Sequence, residues 1–413
     1  MSRPIDEFAE ETQRCIRCGL CQTVCPVYAE THEEQSVARG KLRLAQALLK
    51  GEVEVTPRMK QIMSLCLSCG ACVSNCPSVV KTDKVVLAAR AYATEKDGLP
   101  LPMNLVLRKL LPNPSLQALA VKLGHLYQST GVQKLLRKSG AIKAVSEDMA
   151  AKEGFVPEFS GKTFRDMLAK LPRKKEGKYK VAYFLSCVTN MINPDLGKAV
   201  IRMLEQHDCE VLIPTEVQCC GMAHMGYGDL ETAKKLAENN MKRLMETKAD
   251  FFITDCATCG VTLKDYKELI PGSEEFCAKV FDISEFLVDK VGLQVGDKPV
   301  EAVVTYHDSC HLNRGQKVNS APRKILKSIP GLTFREMPEA DRCCGGAGTF
   351  NMRHYDVSMK ILDRKIKNVK SVSPSIVAVG CPGCSMQIAY GLERNGLDIQ
   401  TAHPVELLDQ TFK

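Results

Sequence analysis

Short runs of β-branched and aromatic residues alternate with longer stretches of helical period through the C-terminal half of the chain. KVAYFL runs into Ser186 and Cys187, a helical LGKAVIRMLEQ follows, EVLIP precedes Cys-Cys-Gly, and DFFIT precedes CATC. The same order then returns: EAVVTY before HDSC, LTFREMP toward CCGG, and SIVAVG directly before CPGC. Between the cysteine pair and the CxxC of each repeat, apolar residues recur at helical spacing. They are Ala233, Leu236, Ala237, Met241 and Leu244 in one repeat and Met359, Leu362, Ile366 and Val369 in the other. Strands alternating with helices in this way predict two α/β units on mainly parallel sheets. Their strand ends should bring most of the cysteines to one edge, where open α/β sheets form ligand crevices.

The N-terminal quarter has another pattern. CIRCGLCQTVCP and CLSCGACVSNCP enclose a helical ARGKLRLAQALLKGE, which predicts a small all-helical domain. From about residue 100 to 178 there is no cysteine, and fifteen Lys and Arg stand against six Asp and Glu. Leu116, Leu119, Ala120, Leu123, Leu126 and Tyr127 fall on one helical face there, with Gln117, Lys122 and His125 elsewhere, and LPRKKEGKYK closes the segment as a polar linker. The favoured expectation is a connecting helix whose apolar face packs on the rest of the chain. The alternative is a patch for an anionic membrane surface or a partner subunit.

A length of 413 residues allows two to four domains, and 45% hydrophobic with 25% charged residues excludes a chain that is disordered throughout. Twenty cysteines are far from ordinary. The opening MSRPIDEFAEETQRC lacks the apolar core of a secretory signal, so a reducing compartment is expected, where thiols stay free to serve metal rather than disulfides. No run of eighteen apolar residues predicts a transmembrane helix. A net charge of +8 with 13 Phe, 10 Tyr and no Trp gives neither a strong basic stripe nor a stacking platform for nucleic acid.

The cysteines carry the chemistry. CxxCxxCxxxCP is the bacterial ferredoxin run, in which three close thiolates hold three corners of a [4Fe-4S] cube and the fourth ligates the other cluster. Two copies predict two clusters, one on Cys15, Cys18, Cys21 and Cys76 and one on Cys66, Cys69, Cys72 and Cys25. Zinc, which takes four tetrahedral ligands, has little use for four cysteines within eleven residues. Gly19 and Gly70 would let backbone N–H groups approach the sulfurs, and Pro26 and Pro77 turn the chain after the fourth ligand.

Each C-terminal unit offers five cysteines where a cubane needs four: Cys187, Cys219, Cys220, Cys256 and Cys259, then Cys310, Cys343, Cys344, Cys381 and Cys384. Either one of the five is a bystander, or the clusters have an unusual shape in which some thiolates bridge two irons. A structural zinc or a redox dithiol at CATC and CPGC is the competing reading, but a redox CxxC explains neither the adjacent pair nor the upstream cysteine. His307 and His311 flank Cys310 and are candidates to donate hydrogen bonds or protons near a cluster. His224 is a weaker candidate. Arg39 and Lys41 are expected on a solvated helix face, and Cys209 and Cys277 as small buried residues.

On these motifs the chain resembles the iron-sulfur subunits of membrane-associated flavin dehydrogenases, above all the glycolate oxidase iron-sulfur subunit family. Similar layouts occur in the iron-sulfur subunits of D-lactate dehydrogenases and of anaerobic glycerol-3-phosphate dehydrogenase, and in heterodisulfide reductase subunits. The expected fold class is α+β multidomain: an all-α ferredoxin-like two-cluster domain over 1–99, a basic connecting segment over 100–178, and a duplicated α/β CCG module over 179–298 and 299–413. The resemblance implies that an FAD-binding partner subunit oxidises glycolate or D-lactate and that this chain passes the electrons toward quinone. It also implies non-cubane [4Fe-4S] clusters in the CCG units. Composition predicts no nucleic-acid partner, and the opening residues predict a cytoplasmic site, with peripheral contact at the inner face of the cytoplasmic membrane left open. The rival reading is a catalytic protein that cleaves a disulfide directly.

Overall fold

The computed structural model describes residues 3–172, 174 and 176–413, so Met1, Ser2 and, within the expected polar linker, Arg173 and Lys175 lie outside it. Among the described residues up to 99 there are helices but no strands. The helix Ala38–Leu49 buries Ala38, Leu42, Ala45 and Leu48, and the helix Thr82–Asp97 lays Val85, Val86, Ala88 and Ala89 against it. Each cysteine run is bent by a left-handed glycine, Gly19 (φ 87°) and Gly70 (φ 69°), at the start of a short helix. That conformation costs glycine little because it has no Cβ.

The C-terminal half forms two four-stranded sheets in which every pairing is parallel. The first contains β1 (Tyr179–Tyr183), β2 (Cys209–Leu212), β3 (Phe251–Thr254) and β4 (Val280–Asp282) in the order β2-β1-β3-β4. The second contains β5 (Ala302–His307), β6 (Leu332–Phe334), β7 (Ile376–Val379) and β8 (Gln400–Ala402) in the order β6-β5-β7-β8. In each sheet the first strand runs outward to the second and the third lies on the other side of the first. A crevice therefore opens between the first and third strands at their C-terminal ends. Val181, Tyr183 and Ile253 of one sheet share a core with Val304, Tyr306 and Ala378 of the other. Arg202 pairs through its Nε with Asp409 at 2.7 Å, joining the two units at the surface.

The connecting segment departs from the favoured expectation. The helix Pro114–Ser129 turns inward with Gln117 and Val121, and Gly124 lies so close to Phe159 that a Cβ would come within 2.5 Å of the ring. Gln117 accepts a hydrogen bond from Asn190 at 3.0 Å. Leu116, Leu119, Leu123 and Leu126 face outward, the last three at least half exposed (50, 57 and 57%). Gln117 is thus a packed residue although it is polar, because its amide satisfies both Asn190 and the Leu111 carbonyl.

Asp282, at the end of β4, caps the helical turn that follows by accepting the Ser284 N–H at 2.8 Å. Complete burial pushes its carboxyl up to about 7. The folded state therefore keeps this proton longer than the unfolded state, and stability falls as pH rises from about 4 to about 7. Asp282→Asn keeps the accepting oxygen and removes the titration. Its stability relative to the parent should improve by on the order of 2 kcal/mol between pH 5 and pH 8. Denaturant titration at the two pH values checks this, and an equal difference at both refutes it.

Candidate iron-sulfur centres

The cysteines assemble in four groups. One surface recess is lined by Cys15, Cys18, Cys21, Cys72 and Cys76. A second is lined by Cys25, Cys66, Cys69 and Cys72, so the last cysteine of each run sits with the first three of the other. Cys25 feels the charge of Cys66, and Cys72 that of Cys66, Cys69 and Cys25. Backbone N–H groups reach two of these sulfurs: Tyr28 donates to Cys25 Sγ and Ser68 to Cys66 Sγ, each at 3.4 Å. Such N–H···S contacts favour the charged sulfur and tune a cluster's potential.

In the first α/β unit, Cys187 follows β1, Cys219 and Cys220 follow β2, and Cys256 and Cys259 follow β3. Side-chain hydrogen bonding links Cys187 to Cys219, Cys219 to Cys220, Cys220 to Cys259 and Cys259 to Cys256. All five thus stand in one continuous group. The second unit repeats the chain, from Cys310 to Cys343, Cys344, Cys384 and Cys381. Gly221 (φ 98°) and Gly345 (φ 88°) turn the backbone away just after each pair. The two chains of sulfurs also meet, because Cys256 and Cys381 are hydrogen-bond neighbours across the units. The second unit in turn abuts the second ferredoxin run: Cys310 and Cys343 share an apolar cluster with Leu65 and Leu67, and Cys69 feels the charge of Cys343. Space therefore orders the groups differently from sequence: first run, second run, second unit, first unit. The row begins at the exposed Cys18 and ends at the half-buried Cys187.

The donor set fits iron. Neighbouring thiols in this row share protons, with Cys220 held well below the ordinary thiol range by bonds from Cys219 and Cys259 while Cys219 is pushed up. All of them can be thiolates together only around multivalent cations, since burial of unpaired like charges is costly. Buried polar atoms without protein partners surround the same place: both ring nitrogens of His307, Ser309 Oγ and His403 Nε2.

Comparison with known proteins agrees in every part of the chain. Residues 11–80 match the 4Fe-4S dicluster domain family, 181–264 and 304–389 the cysteine-rich CCG domain family, and 100–156 the linker region of the glycolate oxidase iron-sulfur subunit. A probable glycolate oxidase iron-sulfur subunit of Bacillus subtilis is 34% identical over 98% of this chain and 96% of its own length. The chain belongs to the glycolate oxidase iron-sulfur subunit family. The glycolate oxidase iron-sulfur subunit of Escherichia coli is 25% identical over 97% of this chain and 94% of its own. A fumarate reductase (CoM/CoB) subunit of Methanothermobacter marburgensis is 30% identical over 96% and 72%.

Within this family architecture the expectation for Lys41 and Arg39 needs correction, and the other candidates find their places. Lys41 does not lie on a solvated helix face: it is 1% exposed, its ammonium donates to the Gln35 and Ser36 carbonyls, and it stands among Cys25, Cys66 and Cys72. Arg39 is half-buried, pairing with Glu34 while lining the recess of Cys15, Cys18 and Cys21. His311 is a bracket joining three parts, with Nδ1 3.1 Å from Thr258 Oγ1 and Nε2 3.3 Å from the Ser68 carbonyl. Thr258 Oγ1 itself lies 3.6 Å from Cys381 Sγ. His224 bonds the Leu107 carbonyl at 2.7 Å and anchors the connecting segment. Cys209 and Cys277 are buried and apart from the sulfur row, close to the His207 and Leu263 carbonyls respectively.

Two further cations, buried Lys365 and half-buried Arg90, stand by the sulfurs outside the residues singled out from the sequence. Lys365, pulled down to about 8 by burial, donates to the Glu339 and Ala340 carbonyls beside Cys343 and Cys344. Arg90 donates to the carbonyls of Met63, Ser64 and Cys66 behind the second run. A signal for Lys365 was present: it falls on the stripe of Ser358, Leu362 and Val369 that faces inward.

Proposed function

We propose that this chain is the electron-transfer subunit of a flavin-dependent 2-hydroxy-acid dehydrogenase, relaying electrons from an FAD-binding partner that oxidises glycolate toward a quinone. The single observation that carries this reading is the uninterrupted row of four cysteine groups, which reaches the surface at both ends. Bound clusters exchange single electrons, which is the chemistry needed beside a two-electron flavin. The ligand sets are Cys15, Cys18, Cys21 and Cys76; Cys25, Cys66, Cys69 and Cys72; and the five cysteines of each CCG unit. The chain's own residues hold the sulfurs, bury all of the CCG cysteines but Cys187 and Cys384, and place Lys41, Lys365 and Arg90 against their charge.

The relatives' names favour glycolate as donor. Anaerobic purification with the co-eluting flavoprotein, followed by iron and sulfide counting and assays of glycolate, D-lactate and glycerol-3-phosphate against a quinone analogue, tests the proposal. Failure of all three donors, with disulfide turnover by the isolated chain and reduced viologen, would replace it with the disulfide reading.

No helix among the described residues is long and apolar enough to cross a membrane. The outward leucines of Pro114–Ser129, together with exposed Lys122, Lys134, Lys138 and Lys143, support a peripheral contact with anionic lipid. Replacing Leu119, Leu123 and Leu126 with Gln is expected to abolish co-sedimentation with phosphatidylglycerol vesicles, at roughly tenfold or more per leucine buried. Iron content should not change. Binding equal to the parent's would exclude lipid as the occupant of this face.

A further inference from the structure

One of the positions at which the two CCG units differ lies three residues before the lone cysteine of each. The Ser-Cys that closes β1 (Ser186, Cys187) corresponds to the Ser-Cys after β5 (Ser309, Cys310), which places Phe184 opposite His307. Both residues are fully buried. Phe184 belongs to an apolar cluster that also holds Cys220, Cys256 and Cys259, so the fold fills this position in the first unit without any ring nitrogen. His307 is held at the end of β5 in register with Val379, and although the Ala340 backbone lies near its ring, neither Nδ1 nor Nε2 makes a hydrogen bond of full geometry. A buried imidazole with both nitrogens unpaired is costly, and nearly all buried polar side chains find partners.

What His307 does face is sulfur. A ring nitrogen of His307 and the sulfurs of Cys344 and Cys384 all lie within 4.8 Å of one another. Donors on one metal ion, at about 2.0 Å for nitrogen and about 2.3 Å for sulfur, stand at most about 4.3 Å (nitrogen to sulfur) or about 4.6 Å (sulfur to sulfur) apart, so movements of no more than about 0.5 Å bring these three onto one ion.

We propose that His307 is a nitrogen ligand to iron in the second CCG unit, making that centre a mixed sulfur-nitrogen site while the first unit, with Phe184, is ligated by sulfur alone. This rests on the reading of the CCG units as iron-sulfur sites. His307 then fills an iron position that in the first unit falls to a thiolate, and a neutral imidazole in that place raises a cluster's potential. The second unit, which stands between the second ferredoxin run and the first unit, is then the more oxidising of the two CCG centres.

The test uses the full chain, assembled anaerobically with iron and sulfide, and made once with ordinary and once with 15N-labelled histidine. Pulsed EPR should show one cluster with the strong nitrogen coupling of a directly bound imidazole, altered by the label. His307→Phe, which copies the first unit, should lose that coupling and move one midpoint potential to a more negative value while the other centres keep theirs. Full iron content with only weak, hydrogen-bond-type nitrogen coupling, or a strong coupling that survives in His307→Phe, overturns the ligation. Iron content that is unaffected by Cys343→Ala together with Cys344→Ala would instead overturn the underlying reading of this unit as an iron site, and the ligation with it.

Discussion

Cys25→Ala is expected to remove or degrade the cluster of the second ferredoxin run, whose other ligands lie far along the sequence, and to leave the first-run cluster intact. Cys25 lines the recess of Cys66, Cys69 and Cys72, and its sulfur accepts the Tyr28 N–H at the start of the helix Pro26–Thr31. A cube missing one corner thiolate loses iron or falls to a three-iron form, so the variant should lack up to one cluster of iron per chain and show a changed EPR signal. Cys76→Ala should do the same to the first run, whose recess it lines with Cys15, Cys18 and Cys21. Cys18→Ala and Cys69→Ala provide the reference spectra, since each belongs to its own run under any pairing. If Cys25→Ala reproduces the Cys18→Ala spectrum, the crosswise ligation is wrong; if iron and spectrum are unchanged, Cys25 is no ligand at all.

Much of this arrangement was legible because it repeats. The runs KVAYFL, DFFIT, EAVVTY and SIVAVG each became a central strand, and the two amphipathic stretches between the CCG and CxxC motifs became the helices Leu230–Glu246 and Tyr355–Lys370. β4 and β8, of three residues each, escaped because such short strands leave no periodicity to read. The connecting helix misled for a physical reason: its leucine stripe has the spacing of a core-facing surface, and only tertiary structure shows Gln117, Val121 and Gly124 taking the packed side. The spatial order of the cysteine groups was also out of reach, since it depends on contacts such as Cys256 with Cys381 and Cys69 with Cys343 that join residues far apart in the chain. Lys41 read as solvated because lysine usually is. Its place on the stripe of Ala38, Leu42, Ala45 and Leu48 pointed the other way.

That buried lysine and its counterpart Lys365 should set potentials selectively. Each places an ammonium beside one cysteine group: Lys41 among Cys25, Cys66 and Cys72, and Lys365 beside Cys343 and Cys344. Both are kept from leaving by backbone carbonyls, Gln35 and Ser36 for one, Glu339 and Ala340 for the other. A positive charge favours the reduced state of a neighbouring cluster, because the added electron is attracted to it. At a separation of roughly 7 Å and an effective dielectric constant of about 20, the interaction is about 2 kcal/mol, or on the order of 100 mV for one electron. Lys41→Met should therefore lower the potential of the second-run cluster by that order and leave both CCG centres nearly where they were, while Lys365→Met should act on the second CCG unit alone. Loss of the lysine hydrogen bonds would reduce stability in either variant, but stability by itself does not move one potential and spare the rest. Redox titration followed by EPR separates the two effects. A uniform shift of all centres, or none, would mean that the ammonium groups serve only to satisfy their carbonyls.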